Sequence, residues 1–296
     1  MTSTAPRFGT LLCAMVTPMH ANGDLDLDAA RNLARHLVST GHDGIVLSGT
    51  TGEAPTTHAP EKVELIRAVR EAVGPDVILL SGAGSNDTAH AVRMAEQAAD
   101  AGADGILALV PYYSKPQQRG IVAHLTAIHD ACALPVMLYD IPGRTGVALT
   151  DDSYDELAAL ERVVANKDAT GNVAAAKDRI ARTGLDWYSG DDPLTLDFLR
   201  AGAVGVVSVS SHIAGPQIRA MIDAFKAGDA TTAERLHEEL APVHEAMFDG
   251  PGAVNAKSAM HLAGVIPSRA MRLPLVPATD EEHELLRTRL TAAGLL

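Results

Sequence analysis

Eight apolar, strand-like runs recur along the chain, each followed by a polar or glycine-rich turn and then by a segment with helical periodicity. They are LLCAMVTP from Leu11, GIVLSGTTGE from Gly44, DVILLSGAGS from Asp76, GILALVPYYS from Gly105, PVMLYDIPG from Pro135, VVANKDAT from Val163, DWYSGDD from Asp186 and GVVSVSS from Gly205. Their spacing starts at roughly thirty residues and tightens to roughly twenty, the period of one strand plus one helix. The intervening segments, such as DLDAARNLARHLVSTG, PEKVELIRAVREAVG and DTAHAVRMAEQAADAG, carry apolar residues at helical spacing, an N-terminal Asp or Pro and a closing Gly. Strict alternation of strands and helices demands a parallel sheet, and eight such units close as an α/β fold of the (β/α)8 TIM-barrel type. Residues 1–212 are assigned to this barrel. After Ser211 the strand signal stops, and PQIRAMIDAFKAGD, AERLHEELAPVHEAMF, SAMHLAGV and DEEHELLRTRL read as helices broken by Gly and Pro turns. Residues 213–296 are therefore expected to form a C-terminal α-helical domain that caps the barrel or supports contacts between copies.

Composition narrows the function. With 47% hydrophobic and 21% charged residues among 296, the chain can bury a full core. A formal net charge of −13 argues against a nucleic-acid partner, which needs clustered Lys and Arg. The same charge repels anionic substrates, so local groups such as Arg144 must hold them. The two cysteines, Cys13 and Cys132, are far apart and in no CxxC pattern, and suggest neither a disulfide framework nor a zinc site. MTSTAPRFG lacks the apolar stretch of a signal peptide and no later run has the length of a membrane span, so a cytoplasmic protein without membrane partners is expected.

In a barrel of this kind chemistry gathers at the C-terminal ends of the strands. There the chain places GTTGE after the second run, PYYS after the fourth, Tyr139 and Arg144 after the fifth, Lys167 at the sixth and SGDD after the seventh. Lysine suits a buried strand poorly. Among apolar neighbours its charged form loses solvation, its pKa falls, and it becomes the neutral amine that attacks a carbonyl to form a Schiff base. Taken alone, a strand-end lysine is more often an ion-pair member, and Asp168 is an adjacent candidate, although neighbouring strand residues face opposite ways. Taken alone, Tyr139 reads as a core tyrosine and Tyr112 and Tyr113 as packing residues. In GTTGE, glycines at both ends permit a tight turn, while Thr50 and Thr51 offer adjacent N–H groups and hydroxyls to a carboxylate.

Together, GTTGE, PYYSKP, LYDIPGRTG, NKDATGN and SGDD, in this order and across the whole chain, resemble the dihydrodipicolinate synthase family of pyruvate-dependent class I aldolases. The resemblance implies that Lys167 forms the Schiff base with pyruvate. It makes Tyr139, Thr50 and Tyr113 a proton relay, with Tyr113 contributed across a subunit interface. It gives Thr51 with Thr50 the pyruvate carboxylate and Arg144 the carboxylate of L-aspartate 4-semialdehyde, and it places Gly190 and Val207 on the wall of the lysine's pocket. It implies no cofactor and no metal, and a homotetramer built from tight dimers.

Three positions depart from the family's pattern. Asn166 stands where an apolar residue usually precedes the lysine, which bears on its packing and hydrogen bonding. Ala54 stands where a serine would follow GTTGE. At the site where lysine-sensitive members bind the end product, Asn86 and Tyr112 match but Ala59, Lys62 and His90 do not. A cation at Lys62 and a histidine, His90, in place of a carboxylate disfavour an incoming lysine ammonium, so weak or absent feedback inhibition is expected. The nearest competing activity is a lyase acting on a sugar acid such as N-acetylneuraminate or a 2-keto-3-deoxy acid, against which the RTG of Arg144 and Thr145 speaks. The twelve histidines form no HxxxH or strand-end pair that would favour a metal-dependent aldolase. Asp191 and Asp192 stand where a phosphate-binding barrel needs donors. A non-catalytic binding or regulatory barrel would be marked by loss of the lysine or the tyrosine, and both are present.

Overall fold

The computed structural model describes residues 5–296; the first four residues of MTSTAPRFG, on which part of the expectation about a leader rests, lie outside the described residues. The eight expected strands form at the expected places: β1 (Leu11–Ala14), β2 (Gly44–Leu47), β3 (Ile78–Gly82), β4 (Gly105–Leu109), β5 (Val136–Asp140), β6 (Val163–Asp168), β7 (Asp186–Ser189) and β8 (Gly205–Ser208). Between them run α1 (Leu27–Ser39), α2 (Ala59–Val73), α3 (Thr88–Ala101), α4 (Gln118–Ala131), the single turn α5 (Pro142–Thr145), α6 (Asp151–Ala158), α7 (Val173–Thr183) and α8 (Thr195–Ala201). After β8 come α9 (Ser211–Lys226), α10 (Ala230–Phe248), α11 (Gly252–Leu262) and α12 (Asp280–Ala292). The strands pair in parallel in chain order, and β8 returns to β1 with Val207 opposite Leu12, so the sheet is a closed eight-stranded barrel.

Helix ends follow local chemistry. The Asp26 carboxylate accepts from Ala29 N at 2.9 Å and starts α1, while Thr279 and Glu282 cap α12 reciprocally. Gly102, with φ of 96°, ends α3 in the left-handed conformation that residues with a Cβ avoid. The period-2 alternation of each strand sorts the core into two. Leu12, Val46, Leu80, Leu107, Met137 and Val207 point into the barrel and fill it, with Phe8 packed among them. Leu11, Ile45, Leu79, Ile106, Leu138 and Val206 point out and pack on the helices. Each such aliphatic side chain contributes about 1.5–3 kcal/mol by leaving water.

α9 packs on β1 and β8 next to α8 and is the eighth helix of the outer ring. The expected division between residues 212 and 213 falls inside this element, close to a kink at Ala214 that precedes Pro216. The segment AERLHEELAPVHEAMF lies in the continuous α10, which carries Pro242 in its interior. Helices α10 to α12 pack on one another, and α10 and α11 also pack on α9. A buried ion pair fastens them to the barrel: Lys257 of α11 donates to the Glu53 carboxylate in the loop after β2 and, at 2.6 Å, to Ala270 O.

Candidate active site

The alternation along β6 turns Ala165 and Lys167 into the barrel and Asn166 and Asp168 out towards the helices. Lys167 is directly opposite Tyr139 of β5, and its Nζ lies 4.5 Å from the centre of the tyrosine ring. Only 5% of Lys167 is exposed. Burial brings the pKa of its amine down to about 8; the negative charge of Asp192 opposes this shift, Arg144 reinforces it and Cys13 opposes it weakly. The phenol of Tyr139 moves the other way, up to about 12, because burial penalises the phenolate more than Arg144 and the Thr50 side chain stabilise it. The site therefore holds an amine poised to lose its proton beside a phenol that keeps its own.

The carboxylate whose negative charge acts on this amine is Asp192 and not its neighbour Asp168. Asp168 lies outside the barrel wall, where it accepts from Trp187 Nε1 at 3.0 Å and Thr170 N at 2.8 Å. Asp192 is buried and accepts from Val209 N at 2.8 Å, Ser210 N at 3.0 Å and the Ser208 hydroxyl. Those are the N–H groups after β8 with which a barrel of this type would grip a phosphate, and an internal carboxylate already occupies them. Asn166 is fully buried, and among the described residues neither polar atom of its amide finds a hydrogen-bond partner. Its departure from an apolar residue thus acts outside the barrel wall, behind the lysine.

The GTTGE loop turns tightly, but for a different reason from the one its glycines suggest. The left-handed residues are Ser48 (φ 53°) and Glu53 (φ 56°), which flank the motif's core. Gly52 is needed for space instead, since a Cβ there would lie 3.0 Å from Met15 O and 3.2 Å from Thr17 Oγ1. Glu53 holds the far end of the loop through Lys257 and by accepting from Arg272 N at 3.0 Å. Arg272 in turn donates to Thr56 O at 2.7 Å and pairs with Glu61, whose carboxyl it holds down at about 2.

A cavity of about 380 Å³ opens at the C-terminal mouth of the barrel and is lined by Lys167, Tyr139, Thr50, Thr51, Arg144 and Gly190, among others. Two expected residues stand apart from it. Val207 is one layer down, packed in the barrel interior because it precedes the strand's end, and Val209 lines the cavity in its place. Tyr113 is 87% exposed on left-handed backbone (φ 74°) and does not line the cavity of its own chain. The sequence reading missed Asp192 as the lysine's counter-charge, and it missed Glu53, Lys257 and Phe248, the last of which also lines the cavity. A lysine in VNAKSAMHLAG, which holds no other Lys, Arg, Asp or Glu, was the available signal for a buried pair; nothing in the sequence marked Phe248.

The dihydrodipicolinate synthetase family model matches residues 7–293. The chain is 53% identical over 290 residues to a 4-hydroxy-tetrahydrodipicolinate synthase of Bifidobacterium longum, covering 98% of this chain and 96% of the relative. Among solved structures, the dihydrodipicolinate synthase of Bacillus anthracis superposes with a TM-score of 0.94 at 39% identity over 97% of this chain and 99% of that one. The enzyme of Cyanidioschyzon merolae, solved with lysine bound, gives 0.93 at 42% identity over 98% and 99%. Identity at this level over nearly the full length, on a barrel whose lysine and tyrosine already face one another, leaves one conclusion: the chain belongs to the dihydrodipicolinate synthetase family.

Proposed function

We propose that the protein condenses pyruvate with L-aspartate 4-semialdehyde through a Schiff base on Lys167 and releases 4-hydroxy-tetrahydrodipicolinate, a step towards diaminopimelate and lysine. The observation that carries this reading is the buried Lys167 amine, with a pKa brought down to about 8, held over Tyr139 in a cavity that also presents two threonines and an arginine. Neutral Lys167 attacks the ketone carbon of pyruvate while Thr50 and Thr51 hold the carboxylate; loss of water leaves an iminium. The cation draws electrons from the methyl group, which gives up a proton through Tyr139 and Thr50 to leave an enamine. The enamine carbon bonds to the aldehyde carbon of the semialdehyde, whose oxygen takes a proton and becomes the ring hydroxyl. The amino nitrogen of that substrate then attacks the imine carbon, closes the six-membered ring and expels Lys167.

Arg144 presents a guanidinium fork to the second carboxylate. Tyr113, exposed in its own chain, completes the relay in a neighbouring copy, within a homotetramer assembled as a dimer of dimers. A cytoplasmic setting belongs to the same reading. Borohydride added with pyruvate, followed by mass spectrometry, tests it: a reduced pyruvate adduct on Lys167, absent from Lys167→Ala, is expected. An adduct that survives in the variant moves the nucleophile elsewhere. Turnover is then followed with the semialdehyde in parallel with a sugar-acid cleavage assay, and activity in the second alone refutes the choice of substrate.

A further inference from the structure

A second chamber, of about 330 Å³, adjoins the catalytic cavity and shares Thr50, Thr51, Arg144, Val209 and Phe248 with it. Its remaining wall comes from the C-terminal extension: Pro251, Gly252, Ala253 and Leu275. Phe248 is the last residue of α10 and spans both spaces. The wall is fixed. Arg272, whose carbonyl accepts from Leu275 N at 3.1 Å, is tied by its own backbone N–H to Glu53 and by its guanidinium to Gly23 O at 2.8 Å and to Glu61. The extension is thus fastened to the loop that carries both threonines, and Leu275 sits over the chamber as part of the same body.

The chemistry of this space is lopsided. Its polar side chains are Thr50, Thr51 and Arg144, all on the barrel side, and the remaining lining side chains, including Phe248, Ala253 and Leu275, are apolar. An aldehyde with one carboxylate can place that group on Arg144 and its short carbon chain against the apolar side chains. A polyhydroxylated aldehyde would bring several hydroxyls against the side chains of Phe248, Ala253 and Leu275, which carry no polar atom to bond to them. Such hydroxyls exchange water for no partner. A pyruvate-sized molecule on Lys167 needs none of this outer wall.

We propose that Phe248 and Leu275 are specificity-determining residues, contributed by the C-terminal extension, which confine the outer chamber to a short aldehyde carrying a single carboxylate and exclude polyol aldehydes. The inference rests on the proposed Schiff-base reaction and adds the part that selects its second substrate. A hydrophobic pocket discriminates by about tenfold or more per methylene-sized change in fit. Phe248→Ala and Leu275→Ala are therefore expected to lower kcat/KM for aspartate semialdehyde by about tenfold or more while the KM for pyruvate stays within about twofold. Phe248→Trp, which narrows the chamber, should raise the KM for the aldehyde alone.

The test measures kcat and KM for each substrate separately in the wild type and the three variants, with D-erythrose as the competing polyol aldehyde. The borohydride-trapped pyruvate adduct serves as the check that each variant is folded. The ratio of semialdehyde to erythrose turnover should be high in the wild type and fall in both alanine variants. Pyruvate KM moving in step with the aldehyde KM, or unchanged aldehyde kinetics in both alanine variants, overturns the proposal. A wild-type protein that traps pyruvate yet prefers erythrose also overturns it, whereas one that traps no pyruvate defeats the Schiff-base reading beneath it and the proposal with it.

Discussion

The Glu53–Lys257 pair is fully buried, so removing one partner should do far more harm than removing both. In Lys257→Met the side chain keeps its length and loses its charge. Glu53 would then keep only the Arg272 N–H, with a carboxylate still out of water. Breaking a buried pair in this way costs about 3–5 kcal/mol, whereas replacing both charges by neutral groups of similar shape comes close to neutral. For a chain of this size, that loss corresponds to a fall in melting temperature of roughly 5–8 °C. Because Glu53 closes the threonine loop, the single variant should also raise the KM for pyruvate. The assay is a double-mutant cycle of Glu53→Gln, Lys257→Met and the combination, melted at one fixed protein concentration so that assembly does not shift the comparison. The combined variant should recover at least half of the drop seen in Lys257→Met. A single variant that melts within about 2 °C of the wild type, or a double variant whose loss equals the sum of the singles, would show that the pair does not fasten the extension to the loop.

Arg144→Ala should raise the KM for the aldehyde and lower kcat, while pyruvate adduct formation persists with its pH midpoint shifted up, because the guanidinium helps to depress the Lys167 amine. Equal damage to both half-reactions refutes that division of labour. L-lysine should inhibit weakly or not at all: Lys62 is buried, with Nζ donating to Ala54 O and Thr57 O at 2.9 Å each, so a cation is already fixed at that position. Submillimolar inhibition in a steady-state assay would overturn this. Tyr113→Phe should cut turnover by about 10²–10⁴-fold, the scale of a lost acid–base group, although the residue stands outside its own chain's cavity. Wild-type turnover in that variant would remove Tyr113 from the relay.

The barrel was legible because its strands are short apolar runs between turn residues, and periodicity alone marks where β1 to β8 begin. The lysine was legible because charge at a buried strand position is costly enough to need a reason. What escaped was whatever depends on depth or on contacts distant in sequence. Val207 and Val209 have the same side chain and the same parity, and only the point where β8 ends puts one beneath the cavity and the other on its wall. Asp192 reaches its role through the N–H groups of Val209 and Ser210, on a different strand's loop. Glu53 and Lys257 meet across 204 residues of chain, which no local pattern encodes. The glycines of GTTGE pointed to the right loop for the wrong reason, since the demand at Gly52 is set by Met15 and Thr17 of a neighbouring strand's end.

The most direct measurement is the rate of pyruvate adduct formation on Lys167 followed from about pH 6 to pH 11. Burial that lowers the amine from 10.5 to about 8 raises its neutral fraction at pH 7 from about one in three thousand to about one in ten. The rate should climb with pH, reach half its maximum near pH 8 and then level off, since only the unprotonated amine attacks. A rate still rising beyond about pH 10, as for a lysine in water, would mean that the barrel does not prepare this amine for its carbonyl partner.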